Sequence, residues 1–361
     1  MDIAKQPTYF LAANSGQGFY SKFSESYDAH DGWKAYVIKG GPGTGKSSLM
    51  KYIAQKALIL GIKVEICPCS SDPKSLDAVI FPTIKKVILD GTAPHVVEPK
   101  YPAVCEQIIN LGQFWEEKGL EGSEKELLKL YAFNSTYHKK ASQYIITAGK
   151  LISYNFGIEL AATDIDKVFA FASRLAKNNI PEKKNKKPNE WVRFLGGITP
   201  EGMIFYSNTI DDMVDCRKVI ISDKYGAVSG IIMSVLRDAA LDNGYEIITL
   251  KNEILPHDMI DHVIIPELSI AFCRENGQNK FLSDERRIHA RRFIDSGELA
   301  ANRQKLAFNR RVAKELLQSA CDNLKKAKAV HDQMEKYYID IMDFEAMNLY
   351  ALKIADKILS A

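Results

Sequence analysis

Residues 40–47, GGPGTGKS, have the spacing G-x-x-x-x-G-K-[ST]. In this pattern the glycines let successive backbone N–H groups approach phosphate oxygens, and the lysine bridges the β- and γ-phosphates of a nucleotide. The hydroxyl of the last residue is a ligand for Mg²⁺. We predict that Lys46 is catalytic, that Ser47 binds the metal, and that ATP and Mg²⁺ are the cofactors. The predicted nucleotide-binding residues are Gly41, Pro42, Gly43, Thr44, Gly45, Lys46, Ser47 and Ser48.

The residues on either side of this loop have the patterns that the motif requires. The apolar run at 35–38 precedes the loop and is typical of a short buried strand. Behind the loop, Leu49, Ile53 and Ala57 have helical spacing. A strand, a glycine-rich loop and a helix in this order favour a phosphate-binding loop over a chance glycine-rich turn.

A second contact to the metal is predicted at Asp90. The apolar run at 87–89 leads directly into this aspartate, and an aspartate at the end of a buried strand normally completes such a magnesium site. We predict that Asp90 is a catalytic residue and a metal ligand. The next residue is Gly91 instead of a glutamate that could orient an attacking water, so we expect slow hydrolysis.

Three further polar residues lie on predicted loops near the same sheet edge. Asp72 and His95 are candidates for a base that activates water or a hydroxyl acceptor, because ligands bind at the carboxyl ends of parallel strands. We include His95 among the predicted catalytic residues. Capping or loop hydrogen bonding is the alternative for both residues. For Asp77 a structural role is favoured, because its counterpart Asp261 lies in a repeat without the loop.

The chain resembles itself when it is shifted by about 184 residues. The FL pair at 10–11 falls on the FL pair at 194–195, and DAVIFP at 77–82 falls on DHVIIP at 261–266. Further matches keep the same order towards the chain ends. This pattern indicates two copies of one domain.

The second copy lacks the chemical residues of the first. GAVSG at 226–230 aligns with GTGKS at 43–47, and Arg274 aligns with Asp90. We therefore predict that the second copy keeps the fold but does not bind nucleotide in the usual way. Gly226 and Gly230 would then serve a tight strand-to-helix turn. For Arg274 an exposed side chain is favoured over a buried one that replaces the charge of the metal.

These patterns predict an α/β fold with two tandem P-loop NTPase-like domains, mainly parallel sheets and added helices, the second domain being degenerate. We place the active domain at 1–180, a linker at 181–192 and the degenerate domain at 193–361. The polar, lysine-rich stretch between prolines at 181 and 188 marks the linker. Helical patterns at about 124–176 and 299–359 are expected to cap the sheets or to pack one copy against the other.

The composition is that of a globular protein: 46% of the 361 residues are hydrophobic and the formal net charge is +3. Because this charge is small, nucleic acid is disfavoured as a partner but stays open. The six cysteines include no C-x-x-C pair, and we interpret them as reduced thiols in the cytoplasm. No leader or membrane-spanning run is apparent, so we expect no membrane partner.

A cluster of arginines at 286, 287, 291 and 292 allows several interpretations. On a helix, Arg287 and Arg291 would share a face, and one of them could reach the nucleotide as an internal arginine finger. Surface salt bridges with Asp284, Glu285 and Asp295 are the favoured alternative. A nucleic-acid contact is a third possibility, although no aromatic residues are interleaved with the arginines.

The loop at 40–48, together with DPKSLD at 72–77 and DGTAPH at 90–95, resembles a family of duplicated, largely uncharacterised ATP-binding proteins of spore-forming and related bacteria. The resemblance covers nearly the whole chain and implies ATP binding and ATPase activity. In that family the second copy often has its own phosphate loop. This chain departs from the pattern at Val228, Ser229 and Gly230, which argues against a two-site mechanism.

The leading hypothesis from the sequence is an ATP-binding P-loop NTPase that hydrolyses ATP slowly as a switch or motor, with a second copy that no longer acts as an NTPase. A small-molecule kinase that transfers the γ-phosphate is one alternative. An ATP-gated scaffold without enzymatic activity is another. A motor on nucleic acid is least favoured. The protein partner or small-molecule substrate stays open. ATP is preferred to GTP because no guanine-reading motif is apparent.

Overall fold

The computed structural model describes residues 2–93, 96–183, 188–213, 215–277, 279–282 and 287–360. We call residues 2–183 the first half and residues 188–360 the second half. The architecture is α/β with mixed sheets. The predicted catalytic residue His95 and residues 184–187 of the predicted linker lie outside the described residues.

The first half begins with two short strands and ends with two helices. Its strands are β1 (Ala12–Ser15), β2 (Gly18–Ser21), β3 (Lys34–Lys39), β4 (Glu65–Cys69), β5 (Asp72–Phe81), β6 (Lys86–Asp90) and β7 (Glu106–Asn110). Its α-helices are α1 (Lys46–Ile59), α2 (Glu124–Ala161) and α3 (Ile165–Asn179). The strand and the helix predicted on either side of the glycine-rich loop are therefore present as β3 and α1.

The second half has a similar succession of elements. Its strands are β8 (Asn189–Arg193), β9 (Gly196–Thr199), β10 (Gly202–Phe205), β11 (Arg217–Ser222), β12 (Glu246–Lys251), β13 (Ile260–Ile265), β14 (Ile270–Glu275) and β15 (Ile288–His289). Its α-helices are α4 (Asn208–Asp211), α5 (Ala227–Asp242), α6 (Ser296–Ala301), α7 (Arg303–Ile339) and α8 (Phe344–Leu359).

Each half has one main sheet, and both sheets mix strand directions. The first sheet has the order β4-β5-β6-β3-β7, with β3 parallel to β6 and β7 but β5 antiparallel to both its neighbours. The prediction of mainly parallel sheets therefore needs correction. Only residues 70–71 separate β4 from β5, and only residues 82–85 separate β5 from β6. A parallel pair needs a crossover of a dozen or more residues, so these short connections force antiparallel pairing.

The second sheet has the same order for five strands and adds β8 parallel to β12 at one edge, which gives β15-β11-β14-β13-β12-β8. Its strand β11 is parallel to β14 and β15, while β13 is antiparallel to β12 and β14. Asp90 pairs with Ile38 in the first sheet, and Arg274 pairs with Ile221 in the second. The two residues that the sequence aligned thus have the same place in their sheets.

The last helix of each half packs on the sheet and helix of the other half. In α8, Met347, Ala351 and Ala355 belong to the apolar core that contains Ile53 and Ala57 of α1. In α3, three residues belong to the core around α5 of the second half: Val168, Ala172 and Ala176. The packing therefore crosses the predicted linker in both directions.

The two long helices, α2 and α7, lie side by side and run antiparallel. The hydroxyl groups of Tyr131 and Tyr338 are 2.9 Å apart near one end of the pair. Near the other end, the amide of Asn155 donates to the carbonyl oxygen of Leu306 at 3.2 Å. This pairing connects the glycine-rich loop of one half with that of the other, because the C-terminal end of each helix reaches the opposite loop.

All six cysteines are free thiols, and three of them are buried: Cys67, Cys273 and Cys321. In the part of the chain that the structure describes, none of the helices has both the length and the apolar character needed to cross a membrane.

Candidate functional site

The glycine-rich loop connects the end of β3 with the beginning of α1. Gly43 and Gly45 have φ angles of 70° and 80°, in the left-handed region that favours glycine. A Cβ atom on Gly40 would lie 2.7 Å from the Thr44 hydroxyl, so a side chain there would clash. The local conformation thus requires glycine at three of its positions. The N-terminal end of α1 begins at Lys46, directly behind the loop.

Lys46 and Asp90 come together at this end of the sheet. Asp90 is the last residue of β6, which is the direct neighbour of β3. The ammonium nitrogen of Lys46 lies 3.7 Å from Oδ2 of Asp90, and both side chains are largely buried. The same nitrogen donates to the carbonyl oxygens of Gly40 and Gly41 at 3.0 and 2.8 Å. The lysine is therefore held over the loop by oxygen acceptors.

Two oxygen-bearing side chains at this place could hold a magnesium ion. Oδ1 of Asp90 accepts hydrogen bonds from the backbone and hydroxyl of Thr92 at 2.8 and 2.6 Å, which leaves Oδ2 towards Lys46. Oγ of Ser47, in the first turn of α1, accepts from the backbone N–H of Leu76 at 3.0 Å. Carboxylate and hydroxyl oxygens are ligands that Mg²⁺ accepts. The donor set fits the predicted ion.

The other predicted residues of the loop have different degrees of exposure. Thr44 is buried, and its hydroxyl donates to the carbonyl oxygen of Gly41 at 2.9 Å. Pro42 is partly buried, whereas Ser48 is exposed on α1. Thr44 therefore stabilises the loop conformation through a hydrogen bond within the loop.

Asp72 lies beside this site at the start of β5. Its Oδ2 accepts a hydrogen bond from the hydroxyl of Ser75 at 2.9 Å and lies 3.4 Å from the ammonium group of Lys328 on α7. Asp77, by contrast, is buried within β5 in contact with the Cys69 thiol. The structure thus brings Asp72 near the candidate magnesium ligands and gives it a cationic partner from the second half.

The second half covers the glycine-rich loop at two further places. A Cβ atom on Gly43 would lie 2.9 Å from the carbonyl oxygen of Glu335 on α7. A Cβ atom on Gly45 would lie 2.9 Å from Cε of Met347 on α8. These glycines therefore allow close approach of the second half as well as the left-handed backbone. The sequence predicted contact between the copies, but it contained no signal that the contact falls on this loop.

An aromatic pair closes the same side of the loop. The rings of Trp115 and Tyr338 have centroids 5.6 Å apart, and a Cβ atom on Gly41 would lie 3.0 Å from the Trp115 indole. The indole nitrogen of Trp115 is buried and makes no hydrogen bond. A buried N–H group without an acceptor is costly, so a polar group that reached it would be stabilised.

Acidic side chains accept hydrogen bonds from backbone N–H groups of the aligned loop in the second half. Gly226 precedes α5 with a φ angle of 95°, as expected for a strand-to-helix turn. Asp223 accepts from the N–H groups of Gly226 and Ser229 at 3.1 and 2.7 Å. Glu159, at the end of α2 in the first half, accepts from the N–H of Ala227 at 3.0 Å. Acidic side chains thus occupy the place where a phosphate would bind at a helix N-terminus.

Arg274 is buried, so the expectation of an exposed side chain is wrong. Its guanidinium group lies 2.7 Å from Oδ1 of Asp261 and donates to the carbonyl oxygen of Asp223 at 3.2 Å. A buried charge needs such partners, and Asp261 on the neighbouring strand supplies one. The guanidinium group also lies close to Gly226, where a Cβ atom would be 3.0 Å from its central carbon. The side chain therefore packs against the second loop.

The carboxylates around this second loop have strongly shifted pKa values. Burial, together with the nearby Asp223 carboxylate, raises the pKa of Glu159 to about 9. Burial and the Asp261 carboxylate raise the pKa of Glu253 to about 7. For Asp261 burial acts in the same direction, but Arg274 outweighs it and lowers the pKa. Glu159 is therefore protonated at neutral pH, and Asp261 carries the charge that pairs with Arg274.

The two arginines proposed as fingers do not lie on one helix. Arg287 precedes β15 and donates to the carboxylate of Glu275 at 2.8 Å, whereas Arg291 lies in the short 3-10 helix Ala290–Phe293. Arg287 therefore forms a salt bridge, as favoured from the sequence, but its partner is Glu275 and not one of the predicted acidic residues. The other members of the predicted cluster at 284–286 lie outside the described residues.

The chain matches no family model, no curated protein and no solved structure in the comparisons that we made.

Proposed function

We propose that the protein binds ATP with Mg²⁺ at the glycine-rich loop of the first half and hydrolyses it slowly. The single observation that carries this proposal is the position of Lys46. Its ammonium group lies over a loop with two left-handed glycines and 3.7 Å from Asp90 on the adjacent strand. A lysine, an aspartate and a serine hydroxyl in this arrangement are the parts that bind a nucleotide phosphate and its magnesium ion.

In this proposal Lys46 binds the β- and γ-phosphates, while Ser47 and Asp90 hold the magnesium ion. The bound ion would neutralise charge on the phosphates as the γ-phosphate leaves. Gly91 follows Asp90, where a glutamate could have oriented the attacking water. Without such a group the positioning of water is weak, so turnover is slow.

We also propose that the halves are two copies of one P-loop NTPase-like domain and that the second is degenerate. Support comes from the matching order of five strands in the two sheets, to which the second sheet adds β8, and from the equal positions of Asp90 and Arg274. The carboxylate of Asp223 and the carboxyl group of Glu159 already accept hydrogen bonds from N–H groups at the start of α5. A phosphate would have to displace both groups, so we expect one nucleotide for each chain.

The contacts of the loop favour a role as a switch between the halves. Residues of α7 and α8 approach Gly43 and Gly45 closely, so a phosphate that reshapes the loop also acts on these helices. A non-enzymatic scaffold would bind ATP in the same way but would not hydrolyse it. A kinase would transfer the γ-phosphate to a small molecule instead of to water.

The test is titration calorimetry of the protein with Mg·ATP, with Lys46→Ala as the variant and Lys63→Ala as its control. Lys63 is exposed in the turn after α1. We expect one site in the wild-type protein and in the control, and a loss of about ten- to 100-fold in affinity for Lys46→Ala, because a charge-assisted phosphate contact is lost. Two sites for each chain, or unchanged binding by Lys46→Ala, would contradict the proposal.

Phosphate release from γ-labelled ATP then separates the remaining roles. Slow release of labelled phosphate supports the switch. Transfer of the label to a metabolite would identify a kinase, and no release at all would leave an ATP-gated scaffold. Stimulation by DNA or RNA would indicate a motor on nucleic acid.

A further inference from the structure

Lys328 is the cation that the second half brings to the edge of the candidate nucleotide site. It lies on α7, and its ammonium group is 3.4 Å from Oδ2 of Asp72 and 2.9 Å from Oδ1 of Asp332. Burial lowers the pKa of this lysine, but its hydrogen bond to Asp332 and the charge of Asp72 outweigh that effect and raise it. Lys328 is therefore positively charged and held between two carboxylates.

A short chain of contacts connects Lys328 with the predicted magnesium ligand. The hydroxyl of Ser75 donates to the same Asp72 oxygen that faces Lys328, at 2.9 Å. The next residue, Leu76, donates its backbone N–H to the hydroxyl of Ser47 at 3.0 Å. Asp72 and Lys328 are thus connected with the Ser47 hydroxyl through two adjacent residues of β5.

The same helix touches the glycine-rich loop itself. Glu335, whose carbonyl oxygen approaches Gly43, is seven residues beyond Lys328. Seven residues of α-helix correspond to about 11 Å. The helix therefore runs from the loop to Asp72 along one side of the site. The beginning of β5, which carries Asp72, also contacts the second half, because Lys74 lies 3.4 Å from the carboxylate of Glu201.

We propose that Lys328 recognises the γ-phosphate and so distinguishes ATP from ADP. In the structure described here the ammonium group pairs with Asp72. When a triphosphate is bound, it pairs with the more highly charged γ-phosphate, and Asp72 is released. A lysine has a flexible stem and a compact charge, which suits an exchange between two anionic partners. The inference rests on the proposed function, and it assigns to the second half a direct part in nucleotide recognition.

The experiment measures the affinities of Mg·ADP and of a non-hydrolysable Mg·ATP analogue for four proteins by titration calorimetry. These are the wild type, Lys328→Ala, Lys328→Arg and the control Lys326→Ala, which removes an exposed lysine of the same helix. We expect Lys328→Ala to weaken the triphosphate about ten- to 100-fold and to leave ADP within about twofold, because one charge-assisted contact is lost. Lys328→Arg should keep part of the preference for the triphosphate over ADP, and the control should bind both nucleotides as the wild type does.

Asp72→Asn provides a second, opposite test. It removes the carboxylate that competes with the γ-phosphate, so the affinity for the triphosphate should rise while that for ADP stays the same. Equal losses for both nucleotides in Lys328→Ala, or an unchanged ratio, would overturn the inference while the proposed function stands. If the wild-type protein binds neither nucleotide, the proposed function itself fails.

Discussion

The carboxyl group of Glu159 should make the stability of the protein depend on pH. This side chain comes from the first half and accepts a hydrogen bond from the N–H of Ala227 in the second loop. Burial and the Asp223 carboxylate raise its pKa to about 9, from an ordinary value of 4.5. Between these two values the folded protein holds a proton that the unfolded chain has released. The stabilisation is complete below pH 4.5 and is lost as the pH rises through 9.

The size of this effect follows from the proton linkage. One proton bound only by the folded state changes the free energy of unfolding by about 1.4 kcal/mol for each pH unit. From pH 6 to pH 8 the Glu159 contribution therefore falls by about 3 kcal/mol. For 361 residues, with an unfolding entropy of about 2 cal/mol/K for each residue, this corresponds to a decrease in Tm of about 3–4 °C.

The assay compares the wild type with Glu159→Gln by calorimetric melting from pH 6 to pH 8. Glutamine keeps the shape and the neutral charge of the protonated acid but cannot ionise. The difference in Tm should therefore be small at pH 6 and should grow by about 3–4 °C in favour of the variant at pH 8. Other titrating groups, such as Glu253 with its pKa of about 7, are present in both proteins and cancel in the difference.

Glu315→Gln, at an exposed position on α7, serves as the control, and its Tm should change with pH as that of the wild type does. If the Tm of Glu159→Gln and the Tm of the wild type changed equally with pH, the argument would be refuted, because Glu159 would then be ionised in the folded protein. A variant that melts lower at all pH values would instead indicate that the carboxyl group is needed as a charged cap of α5.

Two further predictions concern Arg274 and Trp115. Arg274→Met should lower the free energy of unfolding by about 3–5 kcal/mol in denaturant titrations, because it leaves Asp261 buried without its partner, and adding Asp261→Asn should recover part of the loss. If the double variant lost as much free energy of unfolding as Arg274→Met alone, this prediction would be contradicted. Trp115 contacts the glycine-rich loop, whereas the other two tryptophans pack against each other in a buried core. We therefore expect Mg·ATP to change the tryptophan fluorescence of the wild type and Trp115→Phe to abolish this change. A response that persists in Trp115→Phe would place the change elsewhere.

The sequence predicted best what depends on neighbouring residues. The pattern around residues 40–47 predicted β3 and α1, and the apolar run before Asp90 predicted β6. Spacing alone could not give the direction of β5. That information lay in the two-residue connection at 70–71, which permits only an antiparallel neighbour.

The sequence could not predict contacts between residues that are far apart along the chain. Arg274 was expected to be exposed because a lone arginine after an apolar run usually reaches solvent. Its burial depends on Asp261 of the adjacent strand, and pairing across a sheet depends on register, which local pattern does not give. Lys328 carried no signal either, because in sequence it is one of several lysines on a long amphipathic helix.

The ends of the long helices are exchanged between the two halves. The end of α7 lies on the first loop through Tyr338 and Glu335, and the end of α2 lies on the second through Glu159. The arrangement is reciprocal, but the side chains differ. The carboxyl group of Glu159 accepts a hydrogen bond from the backbone N–H of Ala227, whereas the ring of Tyr338 borders the first loop. Since α8 also completes the apolar core of the first half, removal of the second half would expose that core together with the loop. The second half is therefore a structural part of the candidate site in the first.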